Sequence, residues 1–294
     1  MGGLRLAEPA AAPGVANGHD DQLAAVRARL GLVALLIGLA GLAWWSTAVR
    51  MRGMDAGPGT DLGGFGWFAG VWVVMMAAMM FPAVAPTVAL YARMSRREQR
   101  GLPLLFVAGY LLTWAVAGIG AYGLYRLGRS VAGSSLSWHE SGRWVAGGVL
   151  VGAAIYELTP LKDACLSKCR SPIGFLLGSW RSGPRGALEM GALHGAWCLG
   201  CCWGLMAALF ALGVMSILWM AIVAAMIAVE KLVPWRRPAT WSVAAVLLAL
   251  AVGTMASPSS VPGLTVPGSH AAMKAMRSMQ PARAMPASGP ATTP

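Results

Sequence analysis

Long apolar runs separated by short basic segments dominate the chain. They occupy residues 30–49, 67–92, 102–127, 144–158, 189–212, 215–229 and 240–256. A helix needs about 20 apolar residues to cross a hydrocarbon core about 30 Å thick. The runs at 144–158, 215–229 and 240–256 sit near or below that length; the others reach it. The pattern predicts an all-α fold: a polytopic membrane helical bundle of about seven transmembrane helices. The first run is too long for a signal-peptide core and lacks a small-x-small cleavage site, so it reads as a retained span. Pro160 should end the fourth span. Gly213-Val214 should join the fifth and sixth as a tight helical hairpin. Around this domain, 29–256, lie two polar segments. Residues 1–28 are Ala/Gly/Pro-rich and read as a disordered leader; residues 257–294 are Met/Pro/Ala-rich and read as a disordered outer tail.

Charge refines the picture. Only 12% of residues are charged, against about 25% in a soluble domain, and mean hydropathy is +0.61. The net charge of +12 does not point to nucleic acid, because the basic residues are scattered over short loops. They serve instead as topology determinants and headgroup contacts, which makes the lipid bilayer the first partner. With seven spans, fifteen Lys and Arg fall on the side of the N-terminus and eight on the other. The bias places the N-terminus in the cytoplasm and the tail outside.

The chemistry is concentrated. All five cysteines fall between 165 and 202. Their odd number, with none in a long loop, argues against a disulfide framework. On a helix, His194, Cys198, Cys201 and Cys202 occupy an arc of roughly 100°, in register with Met190 and Met206. Cys198 would lie roughly 15 Å deep, near the midplane. A thiolate in hydrocarbon is costly unless neutralised, and a soft metal ion does that well. A single intramembrane cysteine usually just packs; three within five residues beside a histidine are better read as ligands. Upstream, Cys165 and Cys169 are four apart, so a short helix presents both on one side. Lys162, Lys168 and Arg170 favour the thiolate form, which suits a metal ligand and equally a redox thiol. Small residues spaced by four (Gly148/Gly152, Gly191/Gly195, Gly200/Gly204) would let the fourth and fifth spans approach closely.

Methionines extend the set. Met75, Met76, Met79 and Met80 form one-turn pairs beside Pro82 and Pro86. A Met stripe often only packs, yet Met79 and Met80 would lie at a depth comparable to Cys198. Thioether sulfur binds copper(I) and is a poor zinc ligand. Met273, Met276 and Met279 recur at spacing three in the tail, an accessory outer metal site where thiols would oxidise. Glu157, Glu189 and Glu230 lie near cytoplasmic span ends. Glu230-Lys231 reads as a neighbouring interfacial pair, and Glu189 as a candidate support for a ligand.

Taken together, Met75-Met76-Ala-Ala-Met79-Met80-Phe-Pro82, Leu158-Thr-Pro-Leu-Lys162 leading to Cys165 and Cys169-Arg-Ser-Pro172, His194-Gly-Ala-Trp-Cys198-Leu-Gly-Cys201-Cys202-Trp203 and Glu230-Lys231 carry a resemblance. The chain resembles the bacterial family of predicted metal-binding integral membrane proteins, a domain of unknown function sometimes labelled copper chaperone. The resemblance covers about 67–234 and leaves out the leader and tail. Trp197 departs from it, standing where tyrosine is expected. The family label implies a metal, with copper foremost, and no settled reaction.

Three functions follow as expectations. The first is copper(I) transport, or delivery to a membrane or extracytoplasmic copper-dependent protein. Cys198, Cys201, Cys202 and His194 would form the inner site, and Cys165 and Cys169 would complete it or take up the ion. Met79 and Met80 would act as a relay. The second is a membrane thiol oxidoreductase or metal-dependent enzyme, weakened because adjacent Cys201 and Cys202 make a strained bridge and no serine/histidine/acid or phosphate-loop pattern is present. The third is a purely structural zinc site stapling the fourth and fifth spans.

Overall fold

The computed structural model describes residues 15–52, 55, 57–58, 62–95, 101–132 and 138–279. Among these, every regular element is helical. The long elements are α1 (Val15–Arg50), α2 (Phe65–Met94), α3 (Leu102–Ala132), α7 (Gly183–Leu212) and α9 (Arg236–Ala256). Shorter ones are α4 (Arg143–Glu157), α5 (Pro160–Arg170), α6 (Pro172–Gly178), α8 (Ile217–Leu232) and α10 (His270–Met279).

Five helices are long and apolar enough to cross a membrane, or six if the bent pair α4–α5 counts as one span. The seventh expected span is α8: its 16 residues extend about 24 Å, below the length test for a ~30 Å core, yet it runs from the Gly213 turn beside Gly57 back to Arg170 of α5. Large apolar side chains such as Leu35, Leu112, Val116, Ile119, Leu124 and Val252 face outward from the long helices. That is the surface expected of helices whose surroundings are hydrocarbon.

Helix α1 reaches into the expected leader, and α10 lies in the expected tail. Helix α1 already begins at Val15, because the Leu23–Arg29 stretch is built from good helix formers. In the tail, Ala, Met, Lys and Arg sustain α10, and the Ser269 hydroxyl receives the Ala272 N–H at 3.3 Å at its start. Residues 1–14 and 280–294 of the expected leader and tail lie outside the described residues.

Helix α7 is the hub, packing against α3, α4, α5 and α8. Its approach to α3 depends on glycine: a side chain at Gly191 would overlap the Phe106 carbonyl, and one at Gly109 the Leu188 carbonyl. Gly191 and Gly195 thus face α3. Gly200 and Gly204 are the pair that face α5 and α4, through Cys165, Tyr156 and Ala153. Nothing lies within 4 Å of where side chains at Gly148 and Gly152 would stand, so those two make no close helix contact.

The fourth span breaks where the sequence places Pro160. Leu158 leaves the helix, and the Thr159 hydroxyl accepts the Lys162 N–H at 3.3 Å. Pro160 starts α5 with no N–H to waste, and the chain turns by 66°. This bend lays α5 across α7 at Gly200 and Cys201 and brings Cys169 to the site. At the far end of α7, Gly213 adopts φ +118° and closes the hairpin into α8.

Candidate metal centre

Three sulfurs converge where α5 crosses α7. The Sγ atoms of Cys169, Cys198 and Cys201 lie within 4.8 Å of one another. Cys201 and Cys169 approach to 3.7 Å. Cys198 and Cys201 share a helix face because three residues make nearly one turn. Cys169 arrives from α5, four residues after Cys165 on the same side. Among the described residues no His, Asp or Glu joins this group.

Cys198 is the anchor. It is 1% exposed, and its sulfur has two polar partners from two other helices. The Tyr110 hydroxyl of α3 stands at 3.0 Å, and the Lys231 ammonium of α8 donates at 3.0 Å. An ammonium at that distance offsets the negative charge a metal-binding sulfur must carry, where hydrocarbon would otherwise penalise it. The carbonyl oxygen of Cys198 also accepts S–H contacts from Cys201 at 3.1 Å and Cys202 at 2.8 Å.

The other expected ligands are placed differently. Cys202 is buried one turn along α7, its sulfur turned to that carbonyl. Cys165 is buried against Gly200, where a side chain would come within 2.7 Å of its sulfur. It therefore fixes the α5–α7 packing, outside the three-sulfur group. His194 is buried in an aromatic box: its ring centroid lies 4.8 Å from Phe175 and 6.0 Å from both Phe106 and Tyr110. Its Nδ1 has no hydrogen-bond partner. Met79 and Met80 are buried on α2, which packs against α1, α3, α6 and α8. Of the accessory set, Met273 is exposed on α10; Met276 and Met279 lie on the same helix, and their side chains fall outside the described residues.

A second buried polar cluster flanks the sulfurs. Lys162 sits between Glu157 and Glu230, bonding both Glu230 carboxylate oxygens at 2.7 Å and forming an ion pair with Glu157. All three are no more than 2% exposed. Arg170 donates to the backbone carbonyls of Glu230 and Val233, tying α5 to the end of α8. Glu230 and Lys231 are thus not partners of each other: one serves Lys162 and the other serves Cys198. Glu189 pairs with Arg181 and Arg185 at the surface rather than with a ligand.

Sequence reasoning missed Tyr110 and the role of Lys231. Tyr110 did carry a signal, a phenol inside an apolar run that must find a partner when buried. Lys231 carried none, since only the packing of α8 on α7 decides which side chain it meets.

A family model described as PpoB2, copper chaperone, matches residues 69–254. The chain belongs to this family. No curated relative and no solved structure shows significant similarity to it. The match contains all five cysteines, Met79, Met80, Tyr110 and Lys231, so the sulfur group lies within the copper chaperone family's shared region. It stops short of Met273, Met276 and Met279, which the family match leaves without support.

Proposed function

We propose that the protein is an integral inner-membrane carrier of copper(I), holding the ion as cargo on Cys169, Cys198 and Cys201 and delivering it to a copper-dependent membrane or extracytoplasmic protein. The observation that carries this reading is the convergence of three sulfurs, two of them fully buried, inside an apolar bundle. Copper(I) is satisfied by a few soft donors, whereas a structural zinc site takes four. The three-sulfur group has no fourth donor of the His, Asp or Glu type among the described residues. The N-terminus is cytoplasmic, following the basic loops. The Arg170 and Lys162 end of the bundle then faces the cytoplasm and takes up the ion, and Met273, Met276 and Met279 stand on the outer side.

The test is metal loading of the purified full chain followed by competition with a copper(I) chelator. The expected result is about one tightly held copper(I) per chain. Zinc occupancy with no copper(I) competition would instead favour the structural site. Lys231 refines the expectation. Lys231→Met keeps the length of the side chain and removes the ammonium beside Cys198. Copper(I) affinity should fall about tenfold in the same competition, and Lys231→Arg should recover most of it, because a cation near the sulfur is what is required.

A further inference from the structure

An aromatic cleft of about 690 Å³ opens between α3 and α4 with α7 as its floor. Leu199, Trp203, Met206 and Phe210 form that floor, and Trp72, Trp114 and Trp138 stand in its walls. It begins at the level of the sulfur group, since Leu199 follows Cys198 directly. It runs to the end of the bundle where α3 finishes and α4 starts, lined there by Arg129 and Gly142. That end is opposite Glu157, Lys162 and Arg170.

Helical geometry ties this cleft to the sulfurs. At about 100° per residue, Cys198, Cys202 and Met206 form a stair that advances about 6 Å and turns about 40° at each step. Taking Cys198 as zero, Cys201 falls at about −60°, Cys202 at about 40°, Met206 at about 80° and Leu199 at about 100°. Met206 therefore lies at the seam between the cysteine face and the cleft face. It is 5% exposed and still lines the cleft. Helical methionine side chains lean toward the turn N-terminal to their own Cα, which for Met206 is the turn of Cys202. The indoles around it are favourable faces for a cation.

We infer that Met206, one turn beyond Cys202, is a second soft-metal station through which copper(I) passes from the three-sulfur group into the aromatic cleft. The inference rests on the copper(I) reading above. The step is a ligand exchange without redox change: a copper–Met206 bond forms as the copper bonds to Cys169, Cys201 and Cys198 break in turn, Cys198 last. No proton moves, and the Lys231 ammonium stays beside the sulfur left behind. A thioether is neutral, so it holds the ion more weakly than a thiolate. That is the property of a departure point rather than a storage site.

The experiment loads the full chain with copper(I) in lipid nanodiscs and follows transfer to excess bathocuproine disulfonate. Met206→Leu fills the same space without a sulfur. Transfer should slow about tenfold while equilibrium affinity stays within about twofold, and Met206→Cys, which restores a soft donor, should keep the wild-type rate. Met206→Ile carries the same expectation as Met206→Leu, so a folding failure of one leaves the other to decide. Wild-type transfer rates in both apolar variants would overturn the route, the ion then leaving past Cys169. A Met206→Leu affinity loss of about tenfold or more would also overturn it, making Met206 a ligand of the resting site. Failure of the wild-type chain to hold copper(I) at all would remove the functional reading itself, a result separable from both.

Discussion

Cys198→Ser should abolish tight copper(I) binding. The substitution preserves size and changes one atom, from a soft sulfur to a hard oxygen that copper(I) does not favour. Three features make this position more sensitive than the other cysteines. Cys198 belongs to the three-sulfur group, it receives both Tyr110 and Lys231, and its carbonyl anchors the sulfurs of Cys201 and Cys202. The carbonyl contacts survive the substitution, so the fold should hold while the site fails. We expect affinity to drop at least about a hundredfold, read by chelator competition. Cys165→Ser, outside the group, should lose less than about tenfold in the same assay. Equal losses for the two would mean that the ion sits elsewhere.

Lys162→Met should be strongly destabilising. It leaves Glu157 and Glu230 buried together without their shared cation. Breaking a buried ion pair from one side costs about 3–5 kcal/mol, because the remaining charge has no solvent to turn to. The loss should be visible as a lower thermal midpoint of the detergent-solubilised protein and as reduced yield. The double change Lys162→Met with Glu230→Gln should recover part of the loss, since one of the stranded carboxylates is then removed. A single variant as stable as wild type would mean that water reaches the cluster.

Much of this architecture was legible beforehand, and the reasons are physical. The runs near 67–92, 102–127 and 189–212 became α2, α3 and α7 because long apolar periodic segments have few alternatives. Pro160 marked its break correctly because proline acts on its own backbone and that of its neighbour. The grouping of Cys198 with Cys201 followed from helical spacing alone. What could not be read was anything that depends on which helix stands beside which. The sequence offered Cys198, Cys201, Cys202 and His194 as an inner site that Cys165 and Cys169 would either complete or feed. The structure joins three, assigns Cys165 to packing against Gly200, and encloses His194 in aromatic rings. Likewise Glu230 and Lys231, adjacent in sequence, point to different partners because consecutive helical residues diverge by about 100°.

The 66° bend between α4 and α5 gives the sulfur group a divided mechanical ownership. Two of its members ride on the thirty-residue hub helix, and the third rides on an eleven-residue lever seated by Cys165, Arg170 and the Asp163–Arg236 ion pair. Whether the cargo sees three donors or two is thus decided by the seating of one short lever, with no covalent change. On the proposed copper(I) reading, the number of sulfurs offered to the ion then depends on how α5 packs against α7.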